Sequence, residues 1–210
     1  MLFLFSTIVT CNLIFYFFYE RISNFFKLID YTDNNRKIHF SETPRSGGIF
    51  FWLTLTIIFI FEFTNQFFYF YDSFLFSNIR TIISFYLLTS AIFFLGLFDD
   101  RYNLSAKRKM FYSTIIIFIF LNLDPNFVIS ELRFSTFDKV IFLGEFKIIF
   151  TLLCLLLLIN AINMFDGMNL QVGIYLLLFF LYFILNSFLL ILISSLLIPL
   201  LFYLILNARG

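Results

Sequence analysis

Charge is scarce in this chain of 210 residues, only 13% of which are Asp, Glu, Lys or Arg. A soluble globular domain needs far more polar surface to meet water, so that class is excluded. The net charge of +1 also leaves no basic field for a nucleic acid. Histidine occurs once, as His39, which rules out a multi-histidine zinc site within the chain. Any metal is expected to be held mainly by oxygen. The two cysteines, Cys11 and Cys154, lie in apolar runs without Cys-x-x-Cys spacing and read as small packing residues. The seven glycines include neither a Walker-type nor a dinucleotide-type loop, which argues against a P-loop ATPase and a Rossmann enzyme. What abounds is apolar: 61% of residues are hydrophobic and 23% aromatic, so the solvent for most of the chain is lipid.

Crossing the hydrocarbon core takes about 20 apolar residues. Seven runs approach that length: Leu2 to Tyr19, Gly48 to Thr64, Ile79 to Phe98, Met110 to Leu123, Phe146 to Asn163, Val172 to Leu185 and Ser187 to Leu206. The expected fold is all-α, a polytopic transmembrane bundle of about seven helices forming one domain over 1–210, without internal repeats. The last two runs are separated only by Asn186 and Ser187, so a re-entrant hairpin competes with two full crossings. The first run has no preceding cation and no small-x-small cleavage site, and is expected to be a retained helix. If it runs outside to inside, the inner loops hold ten Lys and Arg residues against four outside, the latter being Arg80, Arg133, Lys139 and Lys147. The expected placement is therefore a membrane of the inner-membrane type, with the N-terminus outside and the C-terminus inside. The outer segment 126–145 alternates β-branched and aromatic residues with polar ones and predicts a short β-hairpin.

Three polar loops then fall on the same, cytoplasmic face. The first holds Arg36, Lys37 and His39, followed by Thr43-Pro44-Arg45-Ser46-Gly47-Gly48, which runs into the second helix. Pro44 fixes the approach, the paired glycines admit a ligand or another backbone, and the helix start favours an anion. A positive-inside anchor with a glycine turn is the competing explanation. The second, Asp99-Asp100-Arg101 followed by Asn103 to Lys109, puts two carboxylates at a helix C-terminus, where the dipole disfavours each by about 0.3–1 kcal/mol. A divalent cation would reverse that penalty and their mutual repulsion; a solvated end neutralised by Arg101 and Lys107 is the alternative. The third, Asn160 to Asn169, spaces Asn160 and Asn163 so that they share a helix face, either lining a cleft or bonding neighbouring helices.

Pro44-Arg45-Ser46-Gly47-Gly48, Asp99-Asp100-Arg101 and the Asn160 to Asn169 stretch resemble, in order and spacing, three motifs of the polyprenyl-phosphate N-acetylhexosamine-1-phosphate transferases. These are enzymes of glycosyltransferase family 4 type, such as phospho-N-acetylmuramoyl-pentapeptide transferase and undecaprenyl-phosphate GlcNAc-1-phosphate transferase. The resemblance implies Mg²⁺-dependent transfer of a sugar-1-phosphate from a UDP-N-acetylhexosamine to a polyprenyl (undecaprenyl) phosphate, releasing UMP, in cell-envelope polysaccharide synthesis. It implies Asp99, Asp100 and Asp166 as catalytic residues, with Asp99 and Asp166 as metal ligands. Asn163, Lys107, Arg45, Gly47, Gly48, Asn160 and Asn169 are implied as substrate-binding residues. Leu170-Gln171 departs from the Gly-Leu pair of many members. The terminal Asn207-Ala208-Arg209-Gly210 looks like the lead-in to a Phe-x-Gly-Asp-x-Gly motif, so a truncated member is expected, working as a homodimer or with a separate C-terminal fragment. Two other functions compete: a non-catalytic membrane protein that binds UDP-sugar or polyprenyl phosphate, and a small transporter. The transporter is disfavoured by polar residues gathered at one face rather than along a central path.

Overall fold

The computed structural model describes residues 2–26, 29–30, 43–44, 47–65, 78–134, 137–165, 170–186 and 189–207. Its helices are α1 (Leu2–Phe26), α2 (Gly47–Thr64), α3 (Ile79–Tyr102), α4 (Ala106–Leu123), α5 (Lys147–Phe165), α6 (Gln171–Leu185) and α7 (Leu190–Asn207). Two short antiparallel pairs accompany them, β1 (Ile29–Asp30) with β2 (Thr43–Pro44), and β3 (Glu131–Phe134) with β4 (Phe137–Phe142). The fold is thus the expected all-α bundle, and the β3–β4 hairpin lies within the predicted segment. The β1–β2 pair was not anticipated: two residues per strand carry no periodicity to read.

Among the described residues five helical segments are long and apolar enough to cross a membrane: α1, α2, α3, Gly144–Met164 (which contains most of α5) and α7. Two expected crossings fall short by that measure, for different reasons. The first turn of α4 carries Lys107, Arg108 and Lys109, and α6 has 15 residues, which at 1.5 Å each span only about 22 Å. α6 and α7 form an antiparallel hairpin, and α7 accompanies α2 along its length. Tyr203 meets Gly47 at one end, and Leu192 shares a buried cluster with Ile58, Leu4 and Ile8 towards the other. Large apolar side chains face outward along most helices, among them Phe17, Leu157, Phe179 and Tyr182. In water this surface would drive association; against lipid tails it is the ordinary exterior of a multi-pass membrane protein.

The helices pack in sequence, with α2 touching α1, α3 and α7, and α4 lying between α3 and α5. Phe50 is fully buried where α1, α2 and α7 meet, edge-on to Phe15 at 4.4 Å and stacked on Phe202 at 6.1 Å. At the α2–α3 contact the single tryptophan, Trp52, stacks on Phe93 at 5.1 Å and donates its indole N–H to Ser90 Oγ at 3.1 Å. Ser90→Ala is expected to leave that donor without its acceptor and destabilise the bundle by about 0.5–2 kcal/mol. Since Trp52 is the only indole, its fluorescence in a denaturing-detergent titration reads both the lost bond, as an emission shift, and the lowered midpoint.

At one end of the bundle the connections are tied by polar contacts. Arg80 reaches the Leu123 carbonyl, Asn126 Nδ2 donates to Thr81 Oγ1 at 2.9 Å, and the Ile129 amide donates to Thr151 Oγ1 at 2.9 Å. These contacts hold the β3–β4 side of the protein, leaving the opposite end for the sequence-predicted site.

Candidate functional site

That opposite end is where α3 stops and α4 starts. α3 runs one turn beyond the predicted Phe98 and encloses Asp99 and Asp100 in its last turn. Asn103 ends it in the left-handed conformation (φ 48°, ψ 64°), with its amide donating to the Asp99 carbonyl at 2.8 Å. Asparagine tolerates this conformation, which reverses the chain as a C-terminal cap does. Only Leu104 and Ser105 intervene before α4, which begins at Ala106, four residues earlier than predicted.

This tight reversal folds the first turn of α4 back over the last turn of α3. Lys109 Nζ lies 2.5 Å from Asp99 Oδ2, with both side chains about one quarter exposed. The same ammonium donates to Asn163 Oδ1 on α5 at 3.2 Å. An anion at a helix C-terminus and a cation at a helix N-terminus each oppose the local dipole, and pairing the two offsets both penalties. Three helices and two of the three sequence motifs thereby meet at one ammonium.

Lys107, which the resemblance implies with Arg45 as a substrate-binding cation, is exposed, whereas Lys109, outside that set, holds the junction. The available signal was the helix start: with Ser105 at the N-cap, Lys109 stands at the fourth helical position and faces back towards the end of α3. Asp100 neighbours Asp99 in the same turn and is half-buried. Asn160 does not join Asn163 in this contact; its Nδ2 donates to the Leu156 carbonyl of its own helix at 2.8 Å.

Gly47 and Gly48 belong to the same end, since the cluster around Ile49 and Phe50 takes in Phe93 and Leu97 of α3. An aromatic ring stands beside each of them. A Cβ on Gly47 would lie 2.6 Å from Tyr203 Cδ2, and one on Gly48 would lie 3.6 Å from Phe93 Cε2. Gly173 at the start of α6 faces the other edge of the Tyr203 ring, with its Cβ position 3.2 Å from Cε1. Arg45, Asp166, Asn169, His39, Arg36 and Lys37 lie outside the described residues.

Among the described residues no three His, Cys, Asp or Glu side chains gather into a metal cage. The donors present are nevertheless of the hard-oxygen type, two adjacent carboxylates and an amide oxygen. Mg²⁺ commonly takes one or two carboxylates and completes its shell with water and substrate phosphate. Lys109 places a positive charge directly against Asp99 Oδ2, so this oxygen already addresses a cation. The residues therefore fit a Mg²⁺ completed by substrate better than one held by protein alone.

The sequence model of glycosyl transferase family 4 matches residues 82–210, which is more than half of the chain and includes Asp99, Lys109 and Asn163. No curated protein and no solved structure matches the chain.

Proposed function

Because the chain belongs to glycosyl transferase family 4, we propose that it transfers an N-acetylhexosamine-1-phosphate from a UDP-sugar to a polyprenyl phosphate and releases UMP. An oxygen of the polyprenyl phosphate attacks the sugar-linked phosphorus. The bond from that phosphorus to the oxygen bridging it to the uridine phosphate breaks, and the product is a lipid-linked sugar pyrophosphate. Phosphoryl transfer asks a protein mainly to position reactants and neutralise charge. The observation that carries the reading is the junction of Asp99, Lys109 and Asn163, where groups from three helices meet at one end of an apolar bundle.

Mg²⁺, held by Asp99 and, on the family pattern, Asp166, would neutralise charge on the transferring phosphoryl oxygens. Lys109 holds the Asp99 carboxylate and the Asn163 amide in one orientation. Asp100 adds negative charge beside Asp99, which would favour a divalent cation there. Lys107, Arg45, Gly47, Gly48, Asn160 and Asn169 remain candidates for contacts to the nucleotide sugar. On the positive-inside count this end faces the cytoplasm of a bacterial inner membrane.

The test is UMP release by the purified protein in detergent with polyprenyl phosphate, Mg²⁺ and either UDP-N-acetylglucosamine or UDP-N-acetylgalactosamine. Release that requires the lipid phosphate and stops on chelation supports the transferase. Saturable UDP-sugar or polyprenyl-phosphate binding without release would identify a non-catalytic binding protein instead.

A further inference from the structure

The C-terminal half of α1 carries a groove whose lining includes none of Asp99, Lys109 and Asn163. It is an open cavity of about 530 Å³, whose lining includes Cys11, Ile14, Phe18, Arg21 and Phe25 of α1 and Leu53 of α2. Its walls are almost wholly apolar, and Arg21 is the single charge among the lining residues. The guanidinium lies 5.8 Å from the centroid of the Phe18 ring, and among the described residues no carboxylate pairs with it. Glu20 precedes it in the chain, but consecutive helical residues point about 100° apart.

Depth gives the groove its meaning. Arg21 is 19 residues along α1 from Leu2, a rise of about 28 Å, close to the thickness of the hydrocarbon core. The guanidinium thus stands at headgroup level, while Cys11 marks a point about 15 Å deeper along the same groove. A cation at the interface above an apolar channel complements a molecule with a phosphate at one end and hydrocarbon below it. A second copy of this chain fits poorly, because a two-fold interface would press the Arg21 guanidinium of each copy into a desolvated apolar face.

We propose that this groove binds one anionic phospholipid of the bilayer, its phosphate on Arg21 and an acyl chain along Phe18, Ile14 and Cys11. The site is separate from the Asp99–Lys109 junction, so its test needs no turnover. A tryptophan placed in the groove by Phe18→Trp, in a Trp52→Phe background, reports lipid contact through quenching by brominated phospholipids. Brominated phosphatidylglycerol is expected to bind about fivefold more tightly than brominated phosphatidylcholine, the preference one basic residue confers at an anionic surface. Arg21→Gln is expected to abolish that preference. Native mass spectrometry of the otherwise unaltered chain, with and without Arg21→Gln, checks that the tryptophan itself has not created the site. Equal quenching by the two lipids, or a preference that survives Arg21→Gln, overturns the proposal. So does displacement of the brominated lipid by equimolar polyprenyl phosphate, which would make the groove a substrate site, or a dimer that excludes both lipids.

Discussion

Asp99→Asn is expected to lower UMP release by about a hundredfold or more, the cost of removing one preorganised charge from a phosphoryl-transfer site. The substitution keeps the shape of the side chain and removes the charge that Lys109 holds at 2.5 Å. Lys109→Met should reach a comparable loss by another route, because it frees Asp99 from the orientation shared with Asn163. The two substitutions disable one unit, so the double variant should be little worse than either single variant. Lys107→Met, which alters an exposed cation outside this contact, should cost less than about tenfold. A merely structural Lys109 would leave the metal dependence unchanged. A Lys109 that neutralises Asp99 predicts otherwise, since its removal lets the carboxylate pair attract a cation more strongly. The Mg²⁺ concentration for half-maximal rate should then fall while kcat drops. A Lys109→Met protein with normal kcat and an unaltered Mg²⁺ requirement would remove the junction from the proposed mechanism.

That lysine also marks the boundary of what sequence reasoning resolves. Helix identity was legible, since apolar runs bounded by charge or turn residues located each of the seven helices among the described residues. Helix ends were less so: α1 continues to Phe26 rather than stopping near Tyr19, carrying Glu20 and Arg21 inside it. Hydrophobicity ends where the bilayer ends, whereas a helix continues until a residue breaks it, and nothing between Tyr19 and Phe26 is a glycine or proline. The same effect extended α3 past Phe98 and started α4 at Ala106, and it is this pair of extensions that brings Lys109 to Asp99. Spacing along the chain could place Asp99, Asp100 and Asn163 at one end of the bundle. Which cation joins them depends on the rotation of α4 after a three-residue turn, and that is set by the left-handed Asn103. The glycine pair shows the complementary case. Its small size leaves room for a ligand or another backbone, and the ring that stands against Gly47 comes from Tyr203, more than 150 residues later in the sequence, which spacing along the chain does not reveal.

Gly47→Ala should therefore destabilise the bundle by about 1–3 kcal/mol, the usual cost of one methyl group too many in a packed contact. Helix propensity gives little relief, since Gly47 is the first residue of α2 rather than an interior position. The new Cβ would approach Cδ2 and Cε2 of Tyr203 to 2.6 and 2.7 Å, well inside contact distance. The ring has little room to withdraw: its other edge already faces Gly173, and its hydroxyl accepts a hydrogen bond from Asn207 Nδ2 at 3.2 Å. Gly48→Ala is the internal control, since its Cβ would meet Phe93 at an ordinary 3.6 Å and should change stability by no more than about 0.5 kcal/mol. Tyr203→Phe leaves the ring in place and should not relieve Gly47→Ala, whereas Tyr203→Leu should, giving a clear non-additive term in a double-mutant cycle. Midpoints in a denaturing-detergent titration measure all of these. They also decide between two roles for the same glycine, because a packing residue loses stability while the protein that remains folded keeps its turnover. If Gly47→Ala instead retains full stability and loses UMP release, the glycine is a substrate contact, and the Tyr203 ring must move aside when the nucleotide sugar binds.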